Sequence, residues 1–184
     1  MTIIGITGTL GAGKGAIVDY LKEKGYRHHS ARAFITDEVH KRGLSVNRDT
    51  MTAVANALRR EHGPAYVIES LIAEAEASGN PSVVESVRTV GEVHALKKKG
   101  GILIAVDADP KTRFQRVVLR GSETDRISFE KFIADEERES TSEDLGVQNL
   151  KKTVALADVR VVNNGDIPSL HRQIDSILAT VGQS

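Results

Sequence analysis

The sequence contains no cysteine and no tryptophan, and its aromatic residues stop at four Phe and three Tyr. The first absence excludes disulfides, thiol catalysis, iron–sulfur clusters and Cys-ligated zinc, and it agrees with a reducing cytosol. The shortage of aromatics requires an aliphatic core and leaves no stacking platform for single-stranded nucleic acid. Neither sign of charge is in excess, because 25 Lys and Arg balance 25 Asp and Glu in 184 residues. That balance gives no sequence-independent grip on nucleic acid or an anionic membrane, so positive charge that matters is local. Long apolar runs are missing as well, none approaching the ~18 residues of a membrane span. No basic residue precedes Lys14, which is unlike the basic start and apolar centre of a signal peptide. Repeats and a long Pro/Ser linker are also lacking. With 40% hydrophobic and 27% charged residues, the composition is globular and the length predicts one domain, soluble and cytoplasmic.

Apolar clusters alternate with amphipathic segments, the pattern of strand–helix–strand units on a mainly parallel sheet. Strands are predicted at 3–7, 26–30, 82–85, 102–106 and 159–162. Helices are predicted at 16–24, 31–41, across 49–78 with a break at Gly63-Pro64, at 111–119, at 129–139, ending near Ala157, and at 167–181. Five strands separated by helices predict a three-layer α/β domain with a parallel sheet.

Gly8-Thr9-Leu10-Gly11-Ala12-Gly13-Lys14 fits the phosphate loop G-x-x-x-x-G-K, or Walker A motif, and sits between a predicted strand and helix. Its glycines let backbone N–H groups turn toward phosphate oxygens, with the helix N-terminus reinforcing the site and Lys14 reaching the β- and γ-phosphates. A plain glycine turn between strand and helix is the competing reading, but the dinucleotide pattern G-x-G-x-x-G is absent. The motif's final Ser or Thr, which helps to hold Mg²⁺, is Gly15 here, followed by Ala16. The metal is then held through water, by ATP itself, or by an acid elsewhere.

Glu85 is the first candidate acid, because it ends an apolar strand at the edge where open α/β sheets present ligand-contacting groups. It suits orienting a Mg²⁺ water or accepting the proton of a phosphate acceptor. Arg88, three residues on, suits an acceptor phosphate; a surface salt bridge between the two is the plainer reading. Asp107, closing the strand at 102–106, is either a second metal candidate or a helix cap. Arg113, Arg116 and Arg120 recur on one helical face, with Arg126 across a polar loop. They form either a closing lid over the transferring phosphoryl group or a solvated basic face. Ser30 and Arg32 open the helix after the second strand, as acceptor contacts or as an N-cap beside a surface charge. His28 and His29 point to opposite faces of a strand and make a poor metal pair.

On these residues the chain resembles P-loop nucleotide kinases of the nucleoside monophosphate kinase and dephospho-CoA kinase group, above all the adenylate-kinase-related proteins. The likeness rests on residues 8 to 15, Glu85-Ser-Val-Arg88, Gly91-Glu92-Val93, the stretch from Asp107 through Arg120, residues 124–139, and Ala157 to Gly165. Adenylate kinases also place Gly after the lysine but usually Thr next, so Ala16 departs from their pattern. The resemblance implies ATP and Mg²⁺ as cofactors and a small nucleotide acceptor. It implies donor contacts from Gly8 through Ala16, with Lys14, Glu85, Arg88, Arg116, Arg120 and Arg126 as catalytic residues. It also implies an acceptor region at about 31–78, a lid at 113–139, and adenine contacts from main-chain groups of Asn163, Asn164 and Gly165. Residues 31–78 match the named enzymes least. The expected function is an ATP-dependent nucleotide kinase; the rivals are a dephospho-CoA kinase and a regulatory module that binds ATP without an acceptor.

Overall fold

A strand rich in β-branched residues suits a position covered on both faces, and β1 (Ile3–Gly8) is buried at every residue. It lies at the centre of an all-parallel sheet of order β2-β3-β1-β4-β5, with β2 (Arg27–Ser30), β3 (Ser82–Glu85), β4 (Ile102–Asp107) and β5 (Val159–Val162). The computed structural model describes residues 1–121, 128–140 and 149–181. Helices on both faces complete the three-layer α/β fold that the sequence predicts.

On one face, α1 (Lys14–Glu23) and α9 (Ile167–Val181) pack Ile17, Leu21, Leu170 and Ile174 against Ile4, Ile6, Ile104 and Val106. On the other, α4 (Tyr66–Ser78) and α5 (Val90–Lys98) bring Ile68, Leu71, Val93 and Leu96 to Ile3, Val84 and Leu103. Each such side chain contributes about 1.5–3 kcal/mol through the apolar surface it buries. α2 (Ala31–Lys41) and α3 (Arg48–His62) share a smaller cluster of Val39, Val54 and Leu58. α6 (Pro110–Arg120) and α7 (Phe129–Ser140) follow β4, and α8 (Leu150–Ala155) leads back into β5.

Helix α5 fills a stretch for which the apolar spacing predicts no element. Its start is fixed by a capping box: Thr89 accepts from the Glu92 N–H while the Glu92 carboxylate accepts from the Thr89 N–H. At the outer edge of the sheet, Gln173 of α9 reaches over β5, accepting from Val162 N at 3.3 Å and donating to Val162 O at 3.1 Å.

From β1 the chain runs to β2 and β3 on one side, then crosses to β4 and β5 on the other. A crevice therefore opens at the carboxyl end of β1, where the direction of winding reverses.

Candidate active site

The loop after β1 is shaped by two glycines in conformations that disfavour side chains, Gly11 at φ +78° and Gly13 at φ +103°. A Cβ on Gly11 would stand 2.4 Å from the Arg113 carbonyl oxygen, and one on Gly13 would stand 2.1 Å from Asn163 Nδ2. Gly13 is the N-cap of α1 and offers no side-chain acceptor, which leaves first-turn N–H groups for an anion. The Lys14 ammonium donates to the carbonyls of Gly8 at 2.8 Å and Thr9 at 2.9 Å, and so stays on the rim of the loop. Narrow glycine backbone, uncapped amides and a tethered ammonium together fit a polyphosphate.

The loop is braced from behind by two buried side chains. Asn163 donates from Nδ2 to Ala12 O at 2.9 Å, and its main-chain N–H goes to Asp107 O at 2.8 Å. Arg113 donates to Ala108 O at 2.8 Å and Leu10 O at 3.4 Å, pairs with Glu136 of α7 and lies over the Phe132 ring. Asp107 accepts from the Thr9 hydroxyl and its own neighbour's N–H at Ala108. It does not cap α6, whose N-cap is Asp109 without a side-chain bond. Asn164 accepts from the Asp109 N–H at 2.8 Å.

In front of the loop lies a cavity of about 420 Å³. The structure brings to it many of the residues singled out from the sequence: Leu10, Gly11, Gly13, Lys14, Gly15 and Ala16 of the loop, Glu85 and Arg88 after β3, Arg32 of α2, and Arg116 and Arg120 of α6. Gly8, Thr9, Ala12, Ser30, Asp107, Asn163, Asn164 and Gly165 do not line it. Ser30 caps α2, its hydroxyl accepting from Ala33 N at 3.2 Å. Arg126 lies outside the described residues.

Glu85 is one quarter exposed or less and its hydrogen-bonding partner is His28, Nε2 to Oε2 at 3.1 Å. That bond holds the Glu85 carboxyl below its ordinary value; burial opposes it, and the charges of His28, Lys14 and Arg88 assist. Ser86, the next residue, has φ +71°, an uncommon conformation for a residue other than glycine. Both Ser86 N and Val87 N donate to Ile6 O, so the chain turns sharply off the sheet between Glu85 and Arg88. The main chain of Arg88 is held at both ends, its N–H by the Glu92 carboxylate at 2.7 Å and its carbonyl by Asn149 N at 3.1 Å.

The three regularly spaced arginines of α6 do not act as one face. Arg113 turns inward, only 3% exposed, because Glu136 and Phe132 of α7 capture it. Arg116 and Arg120 line the cavity, and Arg116 Nη1 is a buried donor with no hydrogen-bond partner among the described residues. Two further arginines, not singled out from the sequence, reach the same cavity from α3: Arg48, 4.0 Å from Asp135 of α7, and Arg59, paired with Glu92. Their spacing carried no signal, since each meets its partner only through the tertiary fold.

As adjacent strand residues should, His28 and His29 diverge, the first to Glu85 and the second to Glu74. Among the described residues no group of three His, Cys, Asp or Glu side chains is arranged to hold a metal. None of their helices is long and apolar enough to cross a membrane.

Residues 4–146 match the AAA domain family. A UPF0200 protein of Methanococcus vannielii is 34% identical, over 98% of this chain and 97% of its own length. The Thermus thermophilus protein TT1252 superposes with a TM-score of 0.65 at 20% identity, covering 97% of both chains. Shikimate kinase from Bacteroides thetaiotaomicron superposes at 0.57 and 16% identity, over 97% of this chain and 98% of that one. At these identities the structural likeness is one of fold, the P-loop kinase fold.

Proposed function

The chain belongs to the UPF0200 family and carries an AAA domain, and from that premise we propose that it is an ATP- and Mg²⁺-dependent phosphotransferase acting on a nucleotide or nucleoside monophosphate. The observation that carries this reading is the convergence on one cavity of Lys14 and the glycine loop with Arg88, Arg116 and Arg120. Several guanidiniums and an ammonium around one cavity, with a single carboxylate among its described lining residues, favour a polyanionic occupant. The nucleotide as acceptor rests on the resemblance of the sequence to nucleoside monophosphate kinases.

Bound Mg·ATP supplies the phosphoryl group and the divalent charge that polarises it. The loop amides and Lys14 hold donor phosphate oxygens. Arg88 anchors the acceptor's anionic group, for which a guanidinium offers a two-pronged fork. Arg116 and Arg120 cover the group in transfer and exclude water from it; 113–139, of which 122–127 lie outside the described residues, is assigned as the lid region and 31–78 as the acceptor region. Glu85, the only acid among the described residues that line the cavity, has its carboxyl held below its ordinary value by the His28 bond. A carboxylate of lowered pKa is a weak trap for a free proton, so its part is to orient the acceptor hydroxyl or a metal-bound water. Asn164 and Gly165 are assigned to the border of the donor's base, while Asn163 acts through Ala12.

One observation favours a second reading, an ATP-binding regulatory module: no hydroxyl stands at Gly15 or Ala16. Mass spectrometry of products separates the two. The protein is incubated with Mg·ATP and, in turn, nucleoside monophosphates, deoxynucleoside monophosphates, dephospho-CoA, shikimate and no acceptor. A phosphorylated nucleoside monophosphate is the expected product. ATP binding without any phosphorylated acceptor would overturn the kinase reading in favour of the module.

A further inference from the structure

Glu92 is fully buried, and both of its oxygens are occupied. Oε1 accepts from Arg59 twice, Nε at 2.9 Å and Nη2 at 2.7 Å. Oε2 accepts from the main-chain N–H of Arg88 at 2.7 Å and of Thr89 at 3.1 Å. The Arg59 side chain is 2% exposed and that of Glu92 0%. A capping box needs only a neutral acceptor, and glutamine serves as well as glutamate there. The charge on Glu92 is therefore explained by Arg59 and not by the helix it starts. Taking two such charges out of water is costly even when they are paired, so the pair calls for an account beyond packing.

Its place in the fold supplies one. Arg59 belongs to α3 and borders the cavity, and the carboxylate it holds grips the peptide N–H of Arg88. The Arg88 carbonyl is fixed independently by the main-chain N–H of Asn149, the N-cap of α8. Arg88 lies two residues after the left-handed Ser86, just beyond the Ser86 and Val87 amides that Ile6 O holds, so these ties fix its peptide where the sheet no longer does. We propose that Arg59 and Glu92 are positioning residues for Arg88, fixing the acceptor's anion anchor relative to α3 while making no contact with the reacting atoms. This rests on the reading of Arg88 as the acceptor's anchor. It predicts that cutting the tie weakens the acceptor's hold and leaves the donor's unchanged.

The informative variant is the double substitution Arg59→Met with Glu92→Gln, which removes both charges and keeps an oxygen for the capping box. It avoids stranding a buried charge, the outcome that threatens folding in Arg59→Met alone. Calorimetry with AMP, CMP, GMP and UMP as probes measures the acceptor side without requiring transfer, and ATP titration measures the donor side. The wild type binds at least one of the monophosphates, and the double variant binds it about tenfold or more weakly, with ATP affinity within about twofold. In turnover the loss falls on the acceptor KM and not on kcat. Arg59→Lys, which keeps a cation on Glu92 Oε1, recovers part of it. Unchanged monophosphate affinity in the folded double variant would overturn the proposal. So would a parallel fall in ATP affinity, acceptor affinity and melting temperature, which marks a purely structural pair, and so would a wild type that binds none of the four. Monophosphate binding that depends on the pair, without transfer, would uphold it and count against the kinase reading alone.

Discussion

The segments that leave β1 and β3 begin alike and are built by opposite means. Each starts at the carboxyl end of a central strand and turns through a left-handed residue into a helix, Gly13 into α1 and Ser86 toward α5. After β1 the useful groups are main-chain amides, and side chains are excluded because a Cβ on Gly11 or Gly13 would enter a neighbour's atoms. After β3 the useful groups are side chains, Glu85 and Arg88, and the backbone between them only sets their spacing. On the proposed reading, the donor's site is made of main-chain N–H groups that every residue but proline possesses, whereas the acceptor side depends on side-chain identity. Substitutions in one segment should thus damage shape, and substitutions in the other should damage chemistry.

Lys14 breaks the comparison most sharply, being the one side chain on which the first segment depends. Lys14→Ala should lower phosphotransfer by about 10²–10³-fold, the effect typical of removing one donor from a developing charge. The fold should survive it, since two hydrogen bonds to loop carbonyls are lost at roughly 1 kcal/mol each. Single-turnover transfer and chemical denaturation of the same variant measure the two quantities, and unchanged turnover would remove Lys14 from the site.

The two left-handed residues test the contrast directly. Gly13→Ala sets a methyl against Asn163 in a conformation that alanine resists, and it should cost about 2 kcal/mol or more together with ATP binding. Ser86→Gly relieves a torsional cost and should stabilise by about 1 kcal/mol, with Glu85 and Arg88 still in place. Urea denaturation gives both signs; destabilisation by Ser86→Gly would show that the serine conformation is held by something other than strain.

The smallest effect is expected with pH. Because the folded pKa of Glu85 is lowered, its contribution to stability is fully present above its ordinary value of about 4.5 and is lost as pH falls through the lowered one. The stability difference between wild type and Glu85→Gln should therefore shrink as the pH falls below about 4.5. A difference that keeps growing below about pH 4.5 would contradict the His28–Glu85 bond as its cause.

The same contrast explains what was legible in the sequence. The strands and the phosphate loop could be read because their signals are contiguous: β-branched runs, and glycines at fixed offsets before a lysine. Glu85 and Arg88 could be found from the rule that ligands lie at strand ends. Helix α5 had a local signature in Thr89-x-x-Glu92 that apolar periodicity does not register. The Arg59–Glu92 pair joins positions 33 residues apart, and no local spacing encodes it. Arg113, Arg116 and Arg120 show the limit of periodicity in the other direction. Helical geometry places them on one side, but the partner that divides them, Glu136, belongs to another helix.

The amide that Gln173 lays across Val162 matters beyond the site. An outermost strand offers unpaired peptide groups to any extended segment that drifts alongside, and neighbouring molecules are the commonest source of one. A glutamine side chain ends in the same donor and acceptor as a peptide bond, so at this residue the sheet already carries a counterfeit sixth strand one link long. A polymerising partner must first evict it.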